Sequence, residues 1–209
     1  MKKLMFLVTA MAVIASVAGA ATVSIGTTAP TVDATDESNL VAAAGTLKWF
    51  DDIEHDAGQT FTPGADLVLD AFTVQMGQSN EDDGPDEVNF RLGTITRPGG
   101  VFTFTDIYSE QAFLGADQAV GDYVTFTLDA PQAVTGGVEY GVILDAVKMG
   151  DWHVGIPYLN LGGNGYVDGN AIGRGNARND DLVFHANLVP EPATMLLLGL
   201  GGLLLRRKR

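Results

Sequence analysis

Apolar and polar residues alternate with a period of two along much of the chain between residues 21 and 187. Val88, Phe90 and Leu92 interleave with Asn89 and Arg91, and Val124, Phe126 and Leu128 with Thr125 and Thr127. The pattern returns through Val138, Tyr140, Val142 and Leu144, and again through Leu182, Phe184 and Ala186. Successive side chains of a strand point to opposite faces, so this period predicts strands with one buried and one wetted face. Pro63-Gly64, Gly84-Pro85, Pro98-Gly99-Gly100, Gly136-Gly137 and Gly162-Gly163-Asn164-Gly165 fall between the strands and predict reversals. No run has a convincing helical period, and Gln111–Ala116 reads equally well as a loop or one helical turn. Strands at this spacing predict an all-β fold, an antiparallel β-sandwich or jelly roll.

The two ends follow a different logic. Lys2 and Lys3 precede an almost unbroken apolar run, Leu4–Val17, and Ala18-Gly19-Ala20 supplies small residues after it. A basic start, an apolar run and a small-x-small site make a secretory signal peptide over residues 1–20, cut between Ala20 and Ala21. The apolar run is short for an uncleaved membrane anchor. Sec machinery and a signal peptidase are the partners this implies.

At the other end, Leu188-Val189-Pro190-Glu191-Pro192-Ala193-Thr194 precedes the apolar and glycine stretch Met195–Leu205, and Arg206-Arg207-Lys208-Arg209 closes the chain. The prolines keep the backbone extended, and the terminal cations favour the cytoplasmic side of a membrane. As a helix the stretch from Ala193 to Leu205 would reach ~20 Å, short of a ~30 Å hydrocarbon core, which suits a transient sorting element better than a permanent anchor. The order of Pro-Glu-Pro, short span and basic terminus resembles the PEP-CTERM sorting domain of exported bacterial proteins. That resemblance implies a tail over residues 188–209, with Pro190, Glu191 and Pro192 read by an exosortase-type membrane enzyme. Between the ends, residues 21–187 form one domain. Gly58-Gln59-Thr60-Phe61-Thr62, Tyr123–Leu128 and Gly165-Tyr166 with Asp180–Phe184 give it a loose resemblance to the β-sandwich domains that precede such tails.

Charge narrows the partners. Residues 21–187 hold 25 acidic and 6 basic residues, a net charge of −19. Such a body repels phosphate backbones and anionic lipid and attracts cations, so nucleic acid is not an expected partner. The chain has no cysteine, which removes disulfides, thiolate metal sites and cysteine nucleophiles.

Catalytic constellations are sparse. The three histidines, His55, His153 and His185, form no close pair, and neither a nucleophile elbow nor a phosphate-binding loop is present. His185 falls on the strand face opposite Phe184 and reads as a surface residue. Glu81, Asp82, Asp83, Asp86 and Glu87 place five acids in seven residues, suited either to a solvated loop or to calcium, which takes six to eight oxygens. Asp168–Gly173 puts Ile172 where a calcium loop needs an oxygen, and Asp51–Asp56 is a second mixed acidic stretch. Trp152, His153, Tyr158 and Tyr166 offer flat faces on which sugar rings could stack, although a lone Trp in a sandwich is more often core; Trp49, beside Leu47 and Phe50, reads as core. No carboxylate pair stands out for glycoside hydrolysis. The expectation is a non-enzymatic structural or adhesive protein of the cell envelope or extracellular matrix, with extracellular polysaccharide as its candidate ligand. A secreted polysaccharide hydrolase and a ligand-free matrix component are the rivals.

Overall fold

The computed structural model describes residues 20–41, 45–48, 57–78, 86–114, 118–148, 158–163, 165–173 and 175–191. They form fourteen strands in chain order: β1 (Thr22–Gly26), β2 (Glu37–Asn39), β3 (Thr46–Lys48), β4 (Ala57–Phe61), β5 (Leu67–Gln78), β6 (Asp86–Thr96), β7 (Thr103–Leu114), β8 (Tyr123–Val134), β9 (Tyr140–Lys148), β10 (Tyr158–Gly163), β11 (Ala171–Gly173), β12 (Asn176–Ala177), β13 (Asp181–Leu182) and β14 (Phe184–Val189). The only helical piece among the described residues is a single 3-10 turn, Pro98–Gly100, in the β6–β7 hairpin. Gly99 and Gly100 take positive φ there (62° and 87°), which a side chain would oppose. Among the described residues no helix is long and apolar enough to cross a membrane.

All strand pairs are antiparallel and lie in two sheets. In the first, β5 is central: β8 and then β1 lie on one side, while β14 with β2, and β10 with β3 and β13, share the other. The second runs β12-β11-β4-β9-β6-β7. Aromatic side chains join the sheets. Phe72 of β5 meets Phe90 of β6 edge-on at 6.4 Å, Phe90 meets Phe126 at 6.0 Å, and Phe72 stacks on Phe184 at 5.9 Å. These rings are fully buried beside Leu69, Leu92 and Leu144, so the core lies between two facing sheets. This is the sandwich-like, all-β arrangement that the period of two predicts.

Four local expectations need correction. Gln111–Leu114 is neither loop nor helical turn but the end of β7, with Ala112 and Leu114 buried and Gln111 and Phe113 exposed. Gly162 and Gly163 do not reverse the chain; they end β10. A Cβ on Gly162 would fall 2.2 Å from the Asn39 Nδ2, so glycine here permits close approach rather than a turn. His185 is buried, not exposed, because the segment leading into β2 covers its face of the sheet. Finally, β14 runs to Val189 and Leu188 keeps 1% of its surface, so the sandwich ends two residues past Asn187.

Candidate functional site

Two regions bring polar chemistry together: a seam inside the sandwich and one outer sheet face. In the seam, Gln59 of β4 is completely buried. Its Nε2 donates to Asp181 Oδ1 of β13 at 3.1 Å and to the Thr60 carbonyl at 3.0 Å, and its Oε1 accepts the Leu182 amide at 2.8 Å. The other oxygen of Asp181 accepts the Tyr166 amide at 3.0 Å. Burial pushes the Asp181 carboxyl up, partly offset by the donors from Tyr166 and Gln59. Because Gln59 and Asp181 come from different sheets, their bond pins one sheet to the other.

Tyr166 continues the seam. Its hydroxyl donates to Glu37 Oε2 at 2.8 Å, and its ring meets Phe184 edge-on at 5.1 Å. Burial, then the bond to Glu37, pushes the phenol far up. Burial also raises Glu37 against that same bond, and the charges of Asp168 and Asp36 add to the rise. Beside it, Asp36 Oδ2 lies 2.9 Å from His185 Nε2 and accepts the Asp33 amide, while Oδ1 accepts the Leu188 amide at 2.9 Å. Burial alone would raise Asp36, but the two amides and His185 outweigh it and hold the carboxyl below its usual range.

The outer face of the first sheet carries hydroxyls in register. Thr22 lies opposite Thr127 and Ser24 opposite Thr125, across β1 and β8. The Ser24–Thr125 row continues through Thr73, bonded to Thr125 at 2.9 Å between hydroxyl oxygens, to His185 and Ser38. Thr22, Ser24 and Thr127 are exposed and Thr125 half-buried, whereas Thr73 and His185 are covered. Tyr123 flanks the open part of the array on β8. This face was missed in the sequence; the trace was there in Thr22-x-Ser24 and Thr125-x-Thr127, whose pairing only the register reveals.

The proposed site residues fare differently. Tyr166 is a core residue with its hydroxyl spent on Glu37, not a free stacking platform. Tyr158 lies in β10, while Trp152, His153, Trp49 and His55 fall outside the described residues. Of the acidic loop, Glu81, Asp82 and Asp83 also fall outside them; Asp86 opens β6, and Glu87 accepts the Gln111 side-chain amide at 2.6 Å. Ile172 is buried in β11, and Asp168 offers its carbonyl to the Thr62 hydroxyl at 3.1 Å. Among the described residues no three of His, Asp and Glu converge as metal ligands.

Comparison with known proteins bears on the tail. Residues 188–209 match the PEP-CTERM protein-sorting motif. A tail of this kind marks an exported, cell-envelope-associated protein and implies processing by exosortase-type machinery. The motif starts within β14, where Leu188 is core, Val189 is 37% exposed and Pro190 leaves the sandwich. No curated protein and no solved structure matches the chain.

Proposed function

We propose that the protein is a non-enzymatic structural or adhesive component of the envelope or matrix, whose sandwich contacts extracellular polysaccharide through the outer face of β1 and β8. The observation carrying this reading is the open array of Thr22, Ser24, Thr125 and Thr127, in register and beside Tyr123. Sugar hydroxyls both donate and accept, as these side chains do, and paired strands hold the groups at fixed spacing without ordering flexible chains on binding. The charged groups of the seam support a scaffold role, since their oxygens accept bonds that hold separate segments of the sandwich together. Polysaccharide from the producing cells' own matrix, immobilised on beads, tests the reading. Replacing Thr22, Thr125 and Thr127 together by valine keeps β-branched strand residues and should lower retention by about tenfold, the equivalent of ~1.4 kcal/mol. Unchanged retention would refute the assigned face. Release of reducing ends by the unaltered protein would favour a hydrolase instead.

A further inference from the structure

Ala21 docks on Gln111, the neighbour of Glu110 in β7, where edge strands β1 and β7 of the two sheets meet. The Ala21 backbone N donates to the Gln111 carbonyl at 2.9 Å, and Ala21 bridges Ala112 in parallel, joining the start of β1 to β7. Ala21 keeps 6% of its surface, whereas Ala20 is exposed. Next to Gln111, Glu110 keeps 7% and shares the buried side of β7 with Ala112 and Leu114. Its Oε2 accepts the Asp129 amide of β8 at 3.3 Å, but its Oε1 is buried with no hydrogen-bond partner. Since Thr22 pairs with Thr127, Ala21 and Asp129 lie at the same end of the β1–β8 ladder. Among the described residues, the groups facing this carboxyl are Tyr108 from β7 and Asp129 from β8, and neither brings positive charge. Burial raises the Glu110 carboxyl despite the bonds from Tyr108 and Asp129, and burial with Glu110 beside it pushes the Tyr108 phenol up to about 12. A buried carboxylate with an idle oxygen is a substantial penalty in a finished fold.

We propose that the α-ammonium of Ala21, created when the leader is removed, is the missing partner of Glu110, so that processing completes the sandwich. The proposal rests on reading Ala18–Ala20 as the cleavage site. Water adds across the Ala20–Ala21 peptide bond: the C–N bond breaks, hydroxyl goes to the Ala20 carbonyl carbon, and the Ala21 nitrogen leaves as an amine that takes up a proton. Before the cut that nitrogen has one hydrogen, used on the Gln111 carbonyl. Afterwards it has three, leaving two for the idle oxygen, and it carries the positive charge that the surroundings of Glu110 lack. Processing and folding are thereby coupled, because the charge appears only at the one nitrogen already docked against β7.

Chains covering residues 21–209 and 20–209, released without added residues from a fusion and held in detergent, test the pairing. At pH 6.5 the chain starting at Ala21 should have a folded-to-unfolded ratio about tenfold higher, as a charged hydrogen bond would give. In Glu110→Gln the two chains should be equal. The advantage should fade as pH rises through the α-amine pKa, ordinarily about 8 and raised by the pairing, and as it falls below the carboxylate range. Carboxyl NMR supplies a readout independent of folding yield: Glu110 should titrate lower in the chain starting at Ala21. Equal stabilities, an advantage that survives Glu110→Gln, or identical Glu110 titration would overturn the pairing. N-terminal sequencing of envelope-derived protein addresses the cleavage reading separately; a start other than Ala21 would overturn the coupling to processing whatever the chain comparison shows.

Discussion

Asp36 and His185, 149 residues apart in the chain, close a side-chain contact of 2.9 Å that is nearly sealed from solvent, with side-chain exposures of 2% and 6%. Asp36 also receives the Leu188 amide, so one carboxylate fastens the entry to β2 onto the last strand. Asp36→Asn should destabilise the protein by about 2 kcal/mol, because two amides and an imidazole lose a charged acceptor. A carboxyl held below its unfolded value contributes stability above that value and loses it as pH falls through the folded one. The gap between the original protein and Asp36→Asn, measured by urea unfolding, should therefore be level above about pH 5 and close below about pH 4.

Glu37 has the opposite sign. Its carboxyl is raised, so its contribution is present below the unfolded pKa and lost as pH rises through the folded one. Glu37→Gln retains an acceptor for the Tyr166 hydroxyl and removes a charge beside Asp36 and Asp168. It should raise the melting temperature at pH 7 by a few degrees and leave it unchanged at pH 3. Tyr166→Phe should instead lower it at both pH values, since the Glu37 oxygen and the Thr62 amide lose their partner. A Glu37→Gln protein that melts lower at pH 7 would contradict this account.

Gly162 and Asn39 form a steric pair. Gly162→Ala should destabilise by about 1–3 kcal/mol through overpacking against the Asn39 side chain. That side chain has a buried Nδ2 with no partner, so Asn39→Ala gives up little hydrogen bonding. The double variant should recover most of the loss, and a thermodynamic cycle over the four proteins measures it. Simple additivity would show that the clash lies elsewhere.

The tail and the fold should separate genetically, but only past Val189. Alanines at Pro190, Glu191 and Pro192 should leave the melting temperature of the purified protein unchanged while holding it at the inner membrane. A chain stopped at Asn187 should lose about 3 kcal/mol or more relative to one stopped at Glu191, because it forfeits the Leu188 side chain and the bond to Asp36. Fractionation and calorimetry on these chains distinguish the two effects.

The strand faces built from Val88–Leu92 and Val124–Leu128 were legible because their inward residues are strongly apolar and their outward ones, Asn89, Arg91, Thr125 and Thr127, are polar. His185 was not, since nothing in Leu182–Leu188 reveals that residues 33–36 fold over its face. Ile143 is similar: it is buried at 3% despite alternating with core residues, on a sheet face where Phe104 packs beside Ile95 and Ile172. Tyr166 sits in a glycine-rich stretch with no local sign of burial; its hydroxyl partner, Glu37, lies 129 residues away. The sorting motif was readable because its information is a linear order of residue types, independent of any register.

The route by which the chain leaves the sandwich sets how it responds to force. β14 lies between β5 and β2 over Phe184–Ala186 and stays bonded to β5 as far as Val189, immediately before the sorting motif. Antiparallel hydrogen bonds run perpendicular to the strands, so tension applied through the tail acts along β14 and loads its rungs together. The domain would resist such a pull in shear rather than unzip one rung at a time. A protein tethered by its C-terminal end would thus be held through a strand that is bonded to neighbours on both sides.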